Sequence, residues 1–156
     1  MIRSAVPAGT SAGIQEAATA IRRTVVPTLF APPRYTHASV VEAGTRLAFL
    51  AGSMPLDAAG VLVGPGDHVA QARQVIANLE EQLKAVGSEL PLVAYTDVYV
   101  VADGPGPLSE VWQVVEESGL ATGASGPHSS TLIGVSTLGC PGQLVEITAT
   151  AVVPED

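Results

Sequence analysis

The sequence predicts an α+β domain in which two amphipathic helices cover one face of a mixed sheet. Three observations carry this expectation. The strand and helix signals follow the order two strands, loop, helix, strand, helix, strand, strand, which separates the helices from a sheet they can share. The segment His68–Val86 places Val69, Ala72, Val75, Ile76, Leu79, Leu83 and Val86 on one helical stripe. The last segment, Gln143 to Val153, alternates as a strand does: Val145, Ile147, Ala149, Ala151 and Val153 form an apolar face, and Leu144, Glu146, Thr148, Thr150 and Val152 the other. The apolar face calls for helices. The mixed face suggests either a polar-lined cavity or subunit interface, or an edge strand whose Thr and Glu meet water.

The elements are justified in order. Residues 1–27 read as an N-terminal extension before a domain at 28–156, with a short helix expected from Gln15 to Arg23 after Thr10 and Ser11. Pro27, Pro32 and Pro33 impose extended backbone at the domain entry. Thr36–Glu42 and Arg46–Ala51 read as strands joined through Ala43-Gly44-Thr45, a turn that predicts a hairpin. A loop with an Asp-containing turn follows Gly52, then the brief apolar run Val61–Val63. Asp67 is placed to cap the helix that starts at His68, and Gly87 to end it. Its opposite face, Gln71, Arg73, Gln74, Asn78, Glu81 and Lys84, reads as polar and outward, and His68 as solvated. Val93–Val101 is a strand rich in Val and Tyr. Pro105 opens a second helix to Ser118 with Leu108, Val111, Trp112 and Val115 inward; Trp112 reads as core or as a ligand platform. Gly119–Gly126 reads as a linker, His128 to about Val135 as a strand, and Ser136–Gly142 as a loop before the last strand.

Composition narrows the function. At 156 residues, one domain is expected. Apolar residues make up 47% against 14% charged, too few charges to cover a monomer, which points to oligomerisation. The net charge of -8, with no basic cluster beyond Arg22-Arg23, disfavours nucleic-acid partners. One cysteine, Cys140, excludes an internal disulfide and fits a cytoplasmic location. No apolar run approaches the roughly 18–20 residues that span a bilayer, so no membrane partner is expected. No spacing of His, Asp or Glu suggests a metal, and the glycines form no phosphate loop, so no cofactor is expected.

Four stretches carry a resemblance: Phe49-Leu-Ala-Gly-Ser-Met-Pro-Leu-Asp57, Val69-Ala-Gln-Ala-Arg-Gln-Val-Ile-Ala-Asn-Leu79, Thr96-Asp-Val-Tyr-Val100 and Leu144-Val-Glu-Ile-Thr-Ala-Thr-Ala-Val152. In order and spacing they resemble the RidA family, also called YjgF, over about Ala31 to Val153. The resemblance implies a chorismate-mutase-like α+β fold and a homotrimer whose sheets form a central barrel. Small metabolites would bind in clefts between subunits. Family members that hydrolyse imines and enamines hold the substrate carboxylate with an arginine in a Pro-Ala-Arg-Ser-type motif. The matching stretch is Pro127-His128-Ser129-Ser130, so Ser129 stands where that arginine would be, and a hydroxyl cannot replace a two-point cationic clamp. The family's glutamate near the end of the last strand aligns with Thr148, which is no carboxylate base.

The resemblance and strand alternation together gather Tyr35, Ala51, Gly52, Ser109, Ser129, Thr131, Glu146 and Thr148 as the candidate cleft. Glu146, Ser129 and His128 are the candidate catalytic groups, the others ligand contacts. Each has a plainer reading. Alternation turns His128 away from the cleft, Glu146 serves either as a proton shuttle or as a structural partner at a subunit seam, and His37 on its strand reads either as a third candidate or as a group that faces solvent. Cys140 has no paired histidine in the sequence and reads as an unactivated thiol. The expected function is a trimer without standard imino-acid deaminase activity that binds or transforms a small imine, enamine or carbonyl metabolite, in specialised biosynthesis. The alternative is a non-catalytic ligand-binding or regulatory trimer.

Overall fold

The computed structural model describes residues 10–123 and 126–155. From the N-terminus run α1 (Ser11–Thr19), β1 (Ile21–Thr24), β2 (Ala38–Val41), β3 (Arg46–Ser53), α2 (His68–Ala85), a turn of 3-10 helix at Leu90–Leu92, β4 (Val93–Val101), α3 (Pro105–Glu117), α4 (Gly119–Thr122), β5 (Ser129–Val135) and β6 (Val145–Val153). Four strands form a mixed sheet in the order β3-β6-β4-β5, antiparallel except for the β4–β5 pair. The last strand therefore sits inside the sheet, bonded on both edges, as its long run of β-branched and small residues suits.

One face of the sheet is the core. Val145, Ile147, Ala149 and Ala151 of β6 pack with Val98 and Val100 of β4 against Val75, Leu79 and Leu83 of α2 and Val111 and Val115 of α3. Local code sets α2 in place. Asp67 Oδ1 accepts the Ala70 N–H at 2.9 Å, and Gly87, at φ 77°, turns the chain so that the Ser88 N–H reaches the Leu83 carbonyl at 2.9 Å. A smaller cluster, Ala17, Ile21, Leu92 and Val152, lies on the other side of the sheet, where α1 and β1 cover the far end of β6.

Several expectations are corrected. The N-terminal helix lies at Ser11–Thr19, not Gln15–Arg23, and the chain continues into β1. Residues 1–9 of the expected extension lie outside the described residues. The hairpin between the two early strands does not form as a ladder: β2 pairs with β1, register Arg23 with Ser39, while β3 pairs with β6. The turn between them is present, closed by the Thr45 N–H to Glu42 carbonyl at 3.3 Å, but each strand spends its edge elsewhere. Part of the Gly119–Gly126 linker is helical, because the Ser118 hydroxyl caps α4 through the Leu120 N–H at 3.2 Å; residues 124–125 lie outside the described residues.

The polar face of α2 is also not simply outward. Gln71 is fully buried: its amide donates to the Gly64 and Gly142 carbonyls at 3.1 and 3.0 Å and accepts the Leu144 N–H at 2.7 Å. Asn78 donates to the Met54 and Leu56 carbonyls at 2.7 and 2.8 Å, tying the loop after β3 to the helix. His68 is engaged as well, its Nε2 2.8 Å from the Val101 carbonyl. These side chains satisfy loop backbone that would otherwise be buried unpaired.

Candidate functional site

Beyond the end of β6 that α1 and β1 cover, the sheet face away from α2 and α3 is open. Directly paired residues share a face, so register places Glu146, Thr148 and Thr150 of β6 beside Tyr99, Asp97 and Tyr95 of β4. Thr131 of β5 follows Asp97 on one side, and Leu47 and Phe49 of β3 flank β6 on the other. Phe49 is 81% exposed and Leu47 42%. A polar row bordered by uncovered aliphatic and aromatic groups is thus presented to whatever lies beyond the single chain.

Glu146 is held on this face by a specific device. The ladder between β3 and β6 shifts after Leu50, so that Ala51 and Gly52 together oppose Thr148 in a bulge. Glu146 folds its carboxylate against Gly52: a Cβ at Gly52 would overlap Oε1 and come within 2.7 Å of Cδ. Oε2 accepts from the Gln143 amide at 2.8 Å, and Gln143, itself 3% exposed, is fixed by the Cys140 N–H at 3.1 Å. The carboxylate therefore has one oxygen anchored and the other beside a glycine backbone.

Ser129 has a different role from an attacking or donating group. It is 7% exposed, with its Oγ 2.7 Å from the Ser39 hydroxyl and 3.2 Å from that of Thr36. Thr36 also reaches the Pro127 carbonyl at 3.3 Å, and with its proton there Ser129 donates to Thr36 and accepts from Ser39. Its one proton is spent inside the chain. Nearby, Tyr35 stands edge-on to His37 and to Trp112, each pair with ring centroids 6.2 Å apart. Trp112 packs against the core, the first of its two readings. His37 is not merely a surface group: Nδ1 accepts the Val26 N–H at 2.9 Å and Nε2 meets the Phe30 carbonyl at 3.1 Å, which ties down the loop before Tyr35.

His128 is set apart from the other candidates. It is fully buried on the helix side, Nδ1 2.9 Å from the Leu120 carbonyl and Nε2 2.7 Å from the Thr96 hydroxyl. A carbonyl only accepts, so Nδ1 carries the proton and Nε2 accepts from Thr96. Burial lowers its pKa to about 4, the Leu120 hydrogen bond opposing and the Arg23 charge adding to the shift. It is a neutral core residue, and its burial, as alternation foretold, removes it from the cleft.

Arg23 of β1 pairs in register with Ser39, the neighbour of Ser129, yet its Nη2 donates to the Pro91 and Val93 carbonyls at 3.2 and 3.0 Å. Each two-point edge of a guanidinium needs an Nη2 hydrogen, so neither edge is free for a carboxylate. Nε and Nη1 have no hydrogen bond among the described residues, and burial lowers the pKa to about 10, leaving the group cationic at neutral pH.

Within one chain, then, the structure brings together Gly52, Ala51, Glu146, Thr148 and Thr131 on the open face, with Ser129 buried behind the rim formed by Thr36 and Ser39. Ser109 is not among them: it is exposed on α3, in the helix layer, its hydroxyl bonded to the Pro105 carbonyl at 3.1 Å. Among the groups on the open face not singled out from sequence are Tyr95 and Asp97. The alternation of Val93–Val101 that buries Val98 and Val100 turns both of them outward, and this was the available signal. A separate cleft of about 290 Å³ lies elsewhere, between α1 and the C-terminal end, lined by Gly13, Glu16, Arg46 and Glu155 among others.

An α+β domain of this topology, with a polar row on the uncovered sheet face, defines the class of protein. Comparison with known proteins supplies the family. Residues 28–153 match the family model described as Endoribonuclease L-PSP, and the chain belongs to this family, that of the Rid/YjgF proteins. It is 36% identical over 119 residues to Protein DfrA of Myxococcus xanthus, covering 76% of this chain and 84% of that one. The structure of YyfB from Yersinia pestis, described as a Rid-family protein of unknown function, superposes with TM-score 0.77 at 31% identity, covering 86% of this chain and 99% of that chain. A YjgF-family structure from Mycobacterium tuberculosis gives TM-score 0.55 at 29% identity, covering 76% and 86%.

Proposed function

We propose that this chain assembles as a homotrimer whose open sheet faces meet in a central barrel, and that the clefts between copies bind a small imine, enamine or carbonyl metabolite. The cleft works without a carboxylate clamp, and Glu146 moves protons in a tautomerisation, hydrolysis or cyclisation of the bound molecule, in a specialised biosynthetic setting. The single observation that carries this reading is the seating of Glu146: a carboxylate fixed by Gln143 against the Ala51–Gly52 bulge, on a face otherwise made of hydroxyls and exposed apolar groups. An orienting bond on one oxygen leaves the other for a substrate proton.

The uncovered Phe49 and Leu47 support burial by further copies, because such groups in a row are costly to leave in water. The family's descriptive name refers to an endoribonuclease; the net charge of -8 argues against RNA as the ligand here. A second reading, a ligand-binding or regulatory trimer without turnover, is favoured by Ser129, whose proton is held within the chain.

The test pairs mass with chemistry. Sedimentation should give three chains per particle. Ammonia release from 2-iminopropionate should not exceed the uncatalysed rate, whereas an imine of similar size without a carboxylate should bind, and its isomerisation or hydrolysis should be lost in Glu146→Gln while binding persists. Binding without any turnover in the wild type selects the second reading. A monomer, or fast hydrolysis of 2-iminopropionate, overturns the proposal.

A further inference from the structure

Three side chains on the open face form a hydrogen-bond chain whose direction can be read. The Tyr95 hydroxyl donates to Asp97 Oδ1 at 2.9 Å and lies 2.6 Å from the Thr131 hydroxyl. A phenol has one proton, and here it goes to the carboxylate, so Thr131 is the donor in the shorter contact. Every proton in the series Thr131, Tyr95, Asp97 points toward the carboxylate. Burial pushes the Tyr95 phenol up from its ordinary value, the Thr131 contact opposing and Asp97 adding to the shift, which keeps it a donor at neutral pH.

The chain ends on an unfinished acceptor. Asp97 makes no ion pair among the described residues, and its Oδ2 carries no hydrogen bond there. It is partly exposed and stands between Thr131 and Thr148 in the register of the sheet, in mid-face rather than at an edge. A carboxylate so placed, with one oxygen held by an oriented phenol and the other open, asks for a donor from outside the chain. The groups that match it best are N–H donors carrying positive charge.

We infer that Asp97 is the acceptor for the nitrogen end of the ligand, taking the N–H of a protonated imine or amine at Oδ2, with Tyr95 and Thr131 fixing the carboxylate's orientation. This rests on the reading of the open face as the binding cleft and adds the ligand's charge to it: the preferred molecule is an iminium or ammonium species without an acid group, and a carbonyl compound of the same shape binds more weakly. Tyr95 and Thr131 are positioning residues, since they act through Asp97.

The experiment uses the full chain and two probes of one size, the cyclic imine 1-pyrroline and the ring ketone cyclopentanone, with affinities by calorimetry and the Asp97 side-chain carboxyl carbon followed by NMR in the wild type. The imine should bind about ten-fold or more tightly than the ketone, the preference should vanish in Asp97→Asn, and Tyr95→Phe should reduce it several-fold. The Asp97 carboxyl resonance should move with the imine and stay with the ketone, a reading that needs no variant to fold. If the imine binds the wild type but Asp97→Asn keeps full affinity, or the resonance does not move, the inference is wrong and the wider reading of the cleft survives. If neither probe binds the wild type, both fall.

Discussion

Gly52→Ala isolates the device that seats Glu146. The glycine's backbone is outside the left-handed region, so alanine can adopt it, and the one obstacle is the side chain it would meet. The new Cβ would overlap Glu146 Oε1 and lie 2.7 Å from Cδ and 3.0 Å from Cγ. Glu146 is partly exposed and can swing away, but only by breaking its 2.8 Å bond from Gln143, whose amide is almost wholly buried. A lost hydrogen bond to a charged group costs about 1.5–3 kcal/mol, and some of it returns as the freed carboxylate is hydrated, leaving about 1–2 kcal/mol. Urea unfolding should show this loss for Gly52→Ala in the wild type and little of it in a Glu146→Ala background, a coupling of about 1 kcal/mol or more. Equal costs in both backgrounds would refute the claim that the bulge and the carboxylate are built for one another.

Three further outcomes are expected. His128 titrates near 4 in the folded chain against 6.5 unfolded, so the unfolded state binds the extra proton first: stability is complete above about pH 6.5 and declines as pH falls toward 4, by up to about 3 kcal/mol. Unfolding free energies of the wild type and His128→Asn across that window check it, and the difference between them should narrow with acidification. Gln71→Leu strands the Leu144 N–H and the Gly64 and Gly142 carbonyls, and should lower the urea-unfolding free energy by about 2–4 kcal/mol. Arg34 sits at φ 59°, where a side chain is strained, so Arg34→Gly should stabilise by up to about 1 kcal/mol in thermal unfolding.

What was legible in the sequence was what local chemistry decides. Asp67 and Gly87 bracket α2 and its stripe faces the core, and the alternation of β6 told correctly which side meets helices. The same alternation assigned His128 to the core side before any contact was known. What failed depended on partners far along the chain. Ile-Arg-Arg-Thr has no alternating apolar pattern, so β1 gave no signal, and without it β2 was paired with the wrong neighbour. Gln71 and Asn78 look outward by helical period because the period cannot know that loops at Gly142 and Met54 will settle over them. Asp97 escapes a reading that draws the polar face from β5 and β6, whereas in a sheet the face belongs to three or four strands at once.

The central claim is that the uncovered sheet face, with Glu146 seated at the bulge, is the working surface. Backbone amide NMR during titration with 1-pyrroline locates the ligand most directly. The largest shifts are expected at Gly52, Glu146, Asp97 and Thr148. Shifts confined to the cleft of about 290 Å³ beside Gly13, Arg46 and Glu155 would contradict it.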